Sequence, residues 1–240
     1  MPCRVGCLMT NAFVRKLLRG AELSADDQRC LIDATSHAEV IAPGTLLMRE
    51  GDLHDGGYVL LSGFAYCFKL LTSGDRQIVA CRVPGDADGL YGIHTERADY
   101  TVIALTSCRV AVISSGAIDH LLAQSPGIAR ALWWSLLRDK SFLCASLTNI
   151  GQRPVPQRLA YLVCELLTRL QTVGLAKTGS IEIPLTHQDL ADMLGISSVH
   201  ACRALKQLRQ SSMLTYDNER ITVTSLEQLR IFADCDPPPY

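Results

Sequence analysis

Apolar positions change period along this chain, and each change predicts a different kind of element. Phe13, Val14, Leu17 and Leu18 recur at helical spacing, which predicts a first helix. Leu23-Ser24-Ala25-Asp26-Asp27 opens a second. Ser24 is placed to cap its free amides, and the two aspartates sit at the positive end of its dipole. From about Val40 to Ile113 the texture becomes short β-rich runs: GTLLMREGD, YVLLSGFAYCFKLL, QIVACRVPGD and YTVIALTSCRVAVI, with the turn TSGDR among them. Strands this short, divided by Gly-Asp and Ser-Gly pairs, predict an antiparallel sandwich or barrel.

Helical period returns near Ile118. From about Pro126 to Ile150, Ala129, Leu132, Leu136, Leu143, Leu147 and Ile150 share a stripe that Lys140 interrupts. Such a stripe serves as a seam between two chains or as the inner face of a core helix, and periodicity alone favours the core face without excluding the seam. Gly151-Gln152-Arg153-Pro154-Val155-Pro156 predicts a break and a hinge, because proline cannot continue the ladder. A helix from Gln157 to Leu170 follows, then a polar loop from Val173 to Ser180.

Residues 181–224 carry the clearest chemistry. Thr186 is placed to cap a short helix, Gln188 to Leu194, with Leu190, Met193 and Leu194 facing inward. Gly195 stands where that helix must turn sharply. Ser197 or Ser198 caps a second helix reaching about Arg209, with Ala201, Leu205 and Leu208 inward and Ser198, Val199, Cys202, Arg203 and Lys206 outward. Arg203, Lys206 and Arg209 meet no acid between Ser197 and Ser211. Helix, glycine turn and basic helix predict entry into a DNA major groove, and the strands around Asp217-Asn218 add a wing.

Composition narrows the alternatives. The 240 residues are 48% hydrophobic and 20% charged with net charge −1, a globular balance in which any basic surface must be local. No apolar run reaches the roughly 18 residues of a membrane span. Arg4, Arg15, Lys16 and Arg19 interrupt any signal-peptide core, so a cytoplasmic protein without a membrane partner is expected. Of ten cysteines, Cys67, Cys81, Cys108, Cys144 and Cys164 fall singly in apolar runs, as buried hydrophobes do, and the cytosol would keep them reduced. The six histidines, at 37, 54, 94, 120, 187 and 200, form no close pair, and no nucleophile elbow or phosphate loop appears, so no enzyme is expected.

The stretches PGTLLMREGD, YVLLSG, TSGDRQIV and VPGDADG, followed by LTHQDLADMLGISSVHACRALKQLR, make the chain similar to the CRP/FNR family of bacterial regulators from about Leu23 to Phe232. The resemblance implies an α+β fold: an antiparallel β-roll of the cyclic-nucleotide-binding kind, a long dimerisation helix and a carboxy-terminal winged helix-turn-helix. Expected boundaries are an arm at 1–22, sensor at 23–123, dimer helix at 124–150, DNA-binding domain at 151–233 and disordered tail at 234–240. It implies a homodimer on a palindromic double-stranded DNA site, with RNA polymerase as a further partner. Family base-reading positions fall on Ser198, Val199 and Arg203. Phosphate contacts fall on Thr186, His187, Gln188, Ser197 and His200, and Lys206 joins them as an outward cation.

The sensor departs from that pattern. The candidate effector pocket comprises Gly85, Asp86, Gly89, Leu90, Arg97, Ala98 and Asp99. Where cyclic-AMP-binding members carry a glutamate, an arginine and a serine, this chain has Leu90, Ala98 and Asp99, so a cyclic phosphate would meet like charge. Arg97 compensates only with an altered register. Cys3 and Cys7 begin an iron–sulfur-like set, yet the next cysteine is Cys30, and a haem held by Pro2 or Cys3 with His94 does not match family ligand positions. Cyclic nucleotide, haem and iron–sulfur cluster are therefore each disfavoured. Cys202, beside Arg203, is a candidate redox switch. The alternative to a DNA reader is an effector- or redox-sensing β-roll module signalling through a protein partner.

Overall fold

The computed structural model describes residues 10–53, 55–90, 97–176, 183–218 and 220–235. Two short helices, α1 (Ala12–Leu17) and α2 (Ala25–Ala34), precede the sheets. Ser24 caps α2 as its sequence predicts, in a reciprocal box with Asp27. Among the described residues eight strands follow: β1 (Ala38–Ile41), β2 (Leu46–Met48), β3 (Gly57–Ser62), β4 (Ala65–Leu70), β5 (Arg76–Arg82), β6 (Ala87–Asp88), β7 (Thr101–Ala104) and β8 (Cys108–Ile113). They form two antiparallel sheets, ordered β1-β8-β3-β6 and β2-β7-β4-β5. Tyr58, Leu60, Cys67, Val102, Cys108 and Val110 fill the space between them. The turn from β5 into β6 requires Gly85: its φ is +97°, and a Cβ there would meet the Ala12 carbonyl of α1 at 2.9 Å.

Helix α3 (Ser115–Gln124) leads into α4 (Pro126–Gln152), which runs past the expected break at Gly151. Glycine is tolerated in a helix, whereas the residue before a proline is pushed out of helical geometry, so the chain turns at Arg153-Pro154. Helix α5 (Val155–Thr172) begins immediately, with Pro156 in its first turn, where no amide is needed. The carboxy-terminal lobe completes itself with β9 (Ile183–Pro184), α6 (His187–Leu194), α7 (Ser198–Gln210), β10 (Leu214–Asp217), β11 (Arg220–Val223) and α8 (Leu226–Ala233). Asp234 and Cys235, assigned to the tail by sequence, instead close α8: Asp234 adopts φ +46° and the Cys235 amide donates to the Arg230 carbonyl.

Helix α4 has two faces. Ile128, Ala131, Leu132 and Phe142 are buried, whereas Trp133, Leu136, Leu137, Leu143 and Leu147 are exposed. At about 100° per residue the exposed set occupies roughly a third of the circumference. Half of the apolar stripe seen in sequence, Leu136, Leu143 and Leu147, thus points away from this chain's own core, while Leu132 is buried and Ala129 and Ile150 are half-buried. Cys144 lies with the exposed set, contrary to its expected burial, because its position on the wheel falls between Leu137 and Leu147. Among the described residues no helix is long and apolar enough to cross a membrane.

Candidate nucleic-acid interface and its coupling to the sensor

Helix α6 starts at a capping box: the Thr186 hydroxyl accepts from the Asp189 amide at 3.0 Å, and the Asp189 carboxylate accepts from the Thr186 amide at 3.1 Å. Leu190, Met193 and Leu194 are buried. Gly195, at φ +62°, ends the helix in the left-handed region, where a side chain would be strained. Ser197 caps α7, accepting from the His200 amide, and its hydroxyl lies 2.8 Å from His200 Nδ1. Ala201, Ala204, Leu205 and Leu208 are buried, which turns Val199, Cys202, Arg203, Lys206 and Arg209 to solvent, with Ser198 half-buried. The outward face is therefore cationic along its length. His187 stacks edge-on against Tyr216 of the wing at 4.8 Å, and Gln188 donates to Asp192 at 2.6 Å. Thr186, His187, Gln188, Ser197 and His200 thus gather at the amino-terminal ends of α6 and α7, where helix amides favour anions. Lys206 lies two turns further along α7. The wing is three-stranded, in the order β10-β11-β9.

The sensor residues do not gather in the same way. Gly85, Asp86, Gly89 and Leu90 share the turn around β6, with Leu90 buried. Arg97 instead donates to the Gly51 carbonyl at 2.7 Å, Ala98 pairs by backbone with Gly51 and Asp52, and the Asp99 carbonyl accepts from Lys69. His54, His94, Pro2, Cys3 and Cys7 lie outside the described residues.

Beside the roll's apolar core lies a buried network of ion pairs that sequence reading missed. Asp88 accepts from Arg82 at 3.0 Å and from the hydroxyls of Tyr58 and Tyr100. Burial, reinforced by the charge of Asp88, pushes the Tyr58 hydroxyl up. Asp86 accepts from Lys16 of α1 at 2.9 Å, from the Val83 amide at 2.8 Å and from Arg169 of α5, which also pairs with Glu165 at 3.2 Å. Burial opposes the Asp86 charge, but Arg169, Lys16 and Arg82 outweigh it and hold the carboxyl well below the usual range. Asp139 of α4 joins the groups, 3.5 Å from Lys16 and 3.8 Å from Arg82. Roll, arm, long helix and DNA-binding lobe are thereby tied by largely buried charge pairs, in which loss of one member would strand another.

A second tie runs from the β4–β5 hairpin to α6. Arg76 bonds Asp192 at 2.6 Å, Asp189 at 2.8 Å and the Tyr66 hydroxyl at 2.7 Å, while Gln77 donates to the Asp192 carbonyl at 2.6 Å. Asp189 serves both the cap and the clamp. A cleft of about 560 Å³ remains between Gly74-Asp75 and the Gln188, Gly195 and Ser197 edge of the helix-turn-helix. The capping half of this arrangement was readable as T-x-x-D; the partner 113 positions away was not.

A two-sheet roll joined by a long helix to a capped helix-turn-helix with a wing defines a DNA-binding regulator. A cyclic nucleotide-binding domain model matches residues 38–125 and a Crp-like helix-turn-helix model matches residues 157–232. The chain belongs to the CRP/FNR family, whose members are transcription regulators rather than enzymes. It is similar to the transcriptional activator protein Anr of Pseudomonas protegens, 22% identical over 207 residues covering 86% of this chain and 84% of that one. It is also similar to the nitrogen fixation regulation protein FixK of Bradyrhizobium diazoefficiens, 28% identical over 70% of this chain and 69% of that one. The solved structure of FixK2 from Bradyrhizobium japonicum shares the fold, with a TM-score of 0.71 at 22% identity, covering 85% of this chain and 99% of that one.

Proposed function

We propose that this regulator works in the cytoplasm as a homodimer joined along α4, reading a palindromic DNA site with α7 of each chain and presenting the bound complex to RNA polymerase. The observation that carries this reading is the outer face of α4, where Trp133, Leu137, Leu143 and Leu147 lie between 58% and 73% exposed in the single chain. An exposed apolar face of that kind, interrupted only by Lys140, marks an interface. Arg203, exposed on the outward side of α7, takes the base-reading role, because its planar fork matches both guanine acceptors. Ser198 and Val199 adjoin it, and the α6 and α7 amino termini with Lys206 set register on phosphate.

We further infer that cyclic AMP is not the effector. Asp86 is engaged by Lys16 and Arg169, Leu90 is apolar and buried, and Arg97 is held by Gly51, so no free cation of this set faces a cyclic phosphate. Selection of bound DNA from a random pool, with and without cyclic AMP, tests the whole reading. The expected product is an inverted repeat with half-sites about 34 Å apart, bound by two chains and indifferent to the nucleotide. Arg203→Ala should weaken binding by about 1–3 kcal/mol and relax the same base in both half-sites. Selection of a single half-site by one chain would sink the proposal.

A further inference from the structure

The wing reaches back to the entrance of α6 through one side chain. In β10, Leu214 is buried while Thr215 and Asp217 are exposed. Strand alternation therefore turns Tyr216 toward the lobe as well, where it lies half-buried. Its hydroxyl donates to the Leu185 carbonyl at 3.1 Å. Its ring meets the His187 ring edge-on, with centroids 4.8 Å apart and planes inclined by 62°. Leu185 and His187 flank Thr186, the N-cap of α6. Tyr216 thus touches the chain on both sides of the cap, once through backbone and once through a side chain.

The sheet delivers the same arrangement independently. Tyr216 pairs with Ile221 of β11, Ile221 pairs with Ile183 of β9, and β9 runs through Leu185 into the cap. Asp189, which closes the capping box, is held in turn by Arg76 of the β4–β5 hairpin. The entrance of α6 is gripped by both hairpin and wing. A histidine left free rotates about two side-chain bonds and must be ordered when it meets a ligand, at a cost in affinity. The edge-to-face ring contact confines His187 before any ligand arrives.

We propose that Tyr216 is a positioning residue for DNA binding, holding the His187 ring and the α6 cap where they meet a phosphate oxygen of the duplex backbone. This inference rests on the DNA-reading role proposed above and adds to it a wing residue that itself needs no contact with DNA. Phosphate contacts carry no sequence information, so the loss of Tyr216 should be felt on any duplex. That separates it from Arg203, whose loss should be felt at one base.

The test titrates full-length protein with a random-sequence duplex and with the selected inverted repeat. Tyr216→Leu and His187→Ala should each weaken binding to both duplexes about fivefold. The double variant should also be about fivefold weaker, because the two residues act through one contact. Tyr216→Phe keeps the ring and should stay within about twofold of the unaltered protein. Histidine-labelled protein gives a readout without DNA. The His187 ring signals, identified by their loss in His187→Ala, should shift in Tyr216→Leu and hold in Tyr216→Phe. Losses that multiply to about 25-fold in the double variant would mean independent action and overturn the positioning role. So would Tyr216→Leu binding like the unaltered protein while Arg203→Ala still weakens the inverted repeat, an outcome that leaves DNA reading intact. Unaltered protein that binds neither duplex would overturn both.

Discussion

Leu147→Ala isolates the proposed seam from everything else in the fold. Leu147 is 73% exposed in the single chain, so little of its side chain supports this chain's own core. Burying a leucine fully is worth about 1.5–3 kcal/mol, and about three quarters of that remains to be gained here on association. Two copies meet across a two-fold axis, so the substitution should cost the dimer about 2–4 kcal/mol, or about 30- to 1000-fold in its dissociation constant. Sedimentation equilibrium across a dilution series reads this directly, while the melting temperature of the diluted monomer should barely move. Val112→Ala is the control: Val112 is 75% exposed but sits on β8, and its loss should leave association unchanged. Equal dissociation constants for Leu147→Ala and the unaltered protein would refute the seam, as would an equal shift from Val112→Ala.

Asp86→Asn strands two buried cations, Lys16 and Arg169, and should lower stability by about 3–5 kcal/mol, read as a lower denaturation midpoint. The same carboxyl dictates a pH response. Its folded value lies below the unfolded 3.8, so its contribution is complete above that value and is lost as pH falls toward the folded one. The stability gap between the unaltered protein and Asp86→Asn should therefore hold from pH 7 to about pH 4 and close below it; a constant gap to pH 2 contradicts the pairing. Arg76→Ala frees α6 from the β4–β5 hairpin. Because Arg76 is partly exposed, about 1 kcal/mol is expected, seen as roughly fivefold faster amide exchange across His187–Leu194, and unchanged exchange would discount the clamp.

Residues whose role depends on near neighbours were legible in the chain itself. Ser24, Thr186 and Gly195 each act within four positions of themselves, so capping and turn chemistry expose them, and the inward set Ala201, Leu205 and Leu208 follows from helical period. The alternation of short strands and glycine turns likewise sufficed for an antiparallel sandwich or barrel, and the roll itself followed from the family resemblance. Period could not say which side of α4 meets its own core, because a seam and a core face carry the same apolar residues. Burial of Ile128 and Phe142 opposite the exposed Trp133 and Leu147 decides that. Nor could composition reveal that Lys16, Asp86, Asp139 and Arg169 meet or that Arg76 clamps Asp189. Each charge is unremarkable where it stands, and only folding brings its partner within the few ångströms over which Coulomb attraction and hydrogen bonding act.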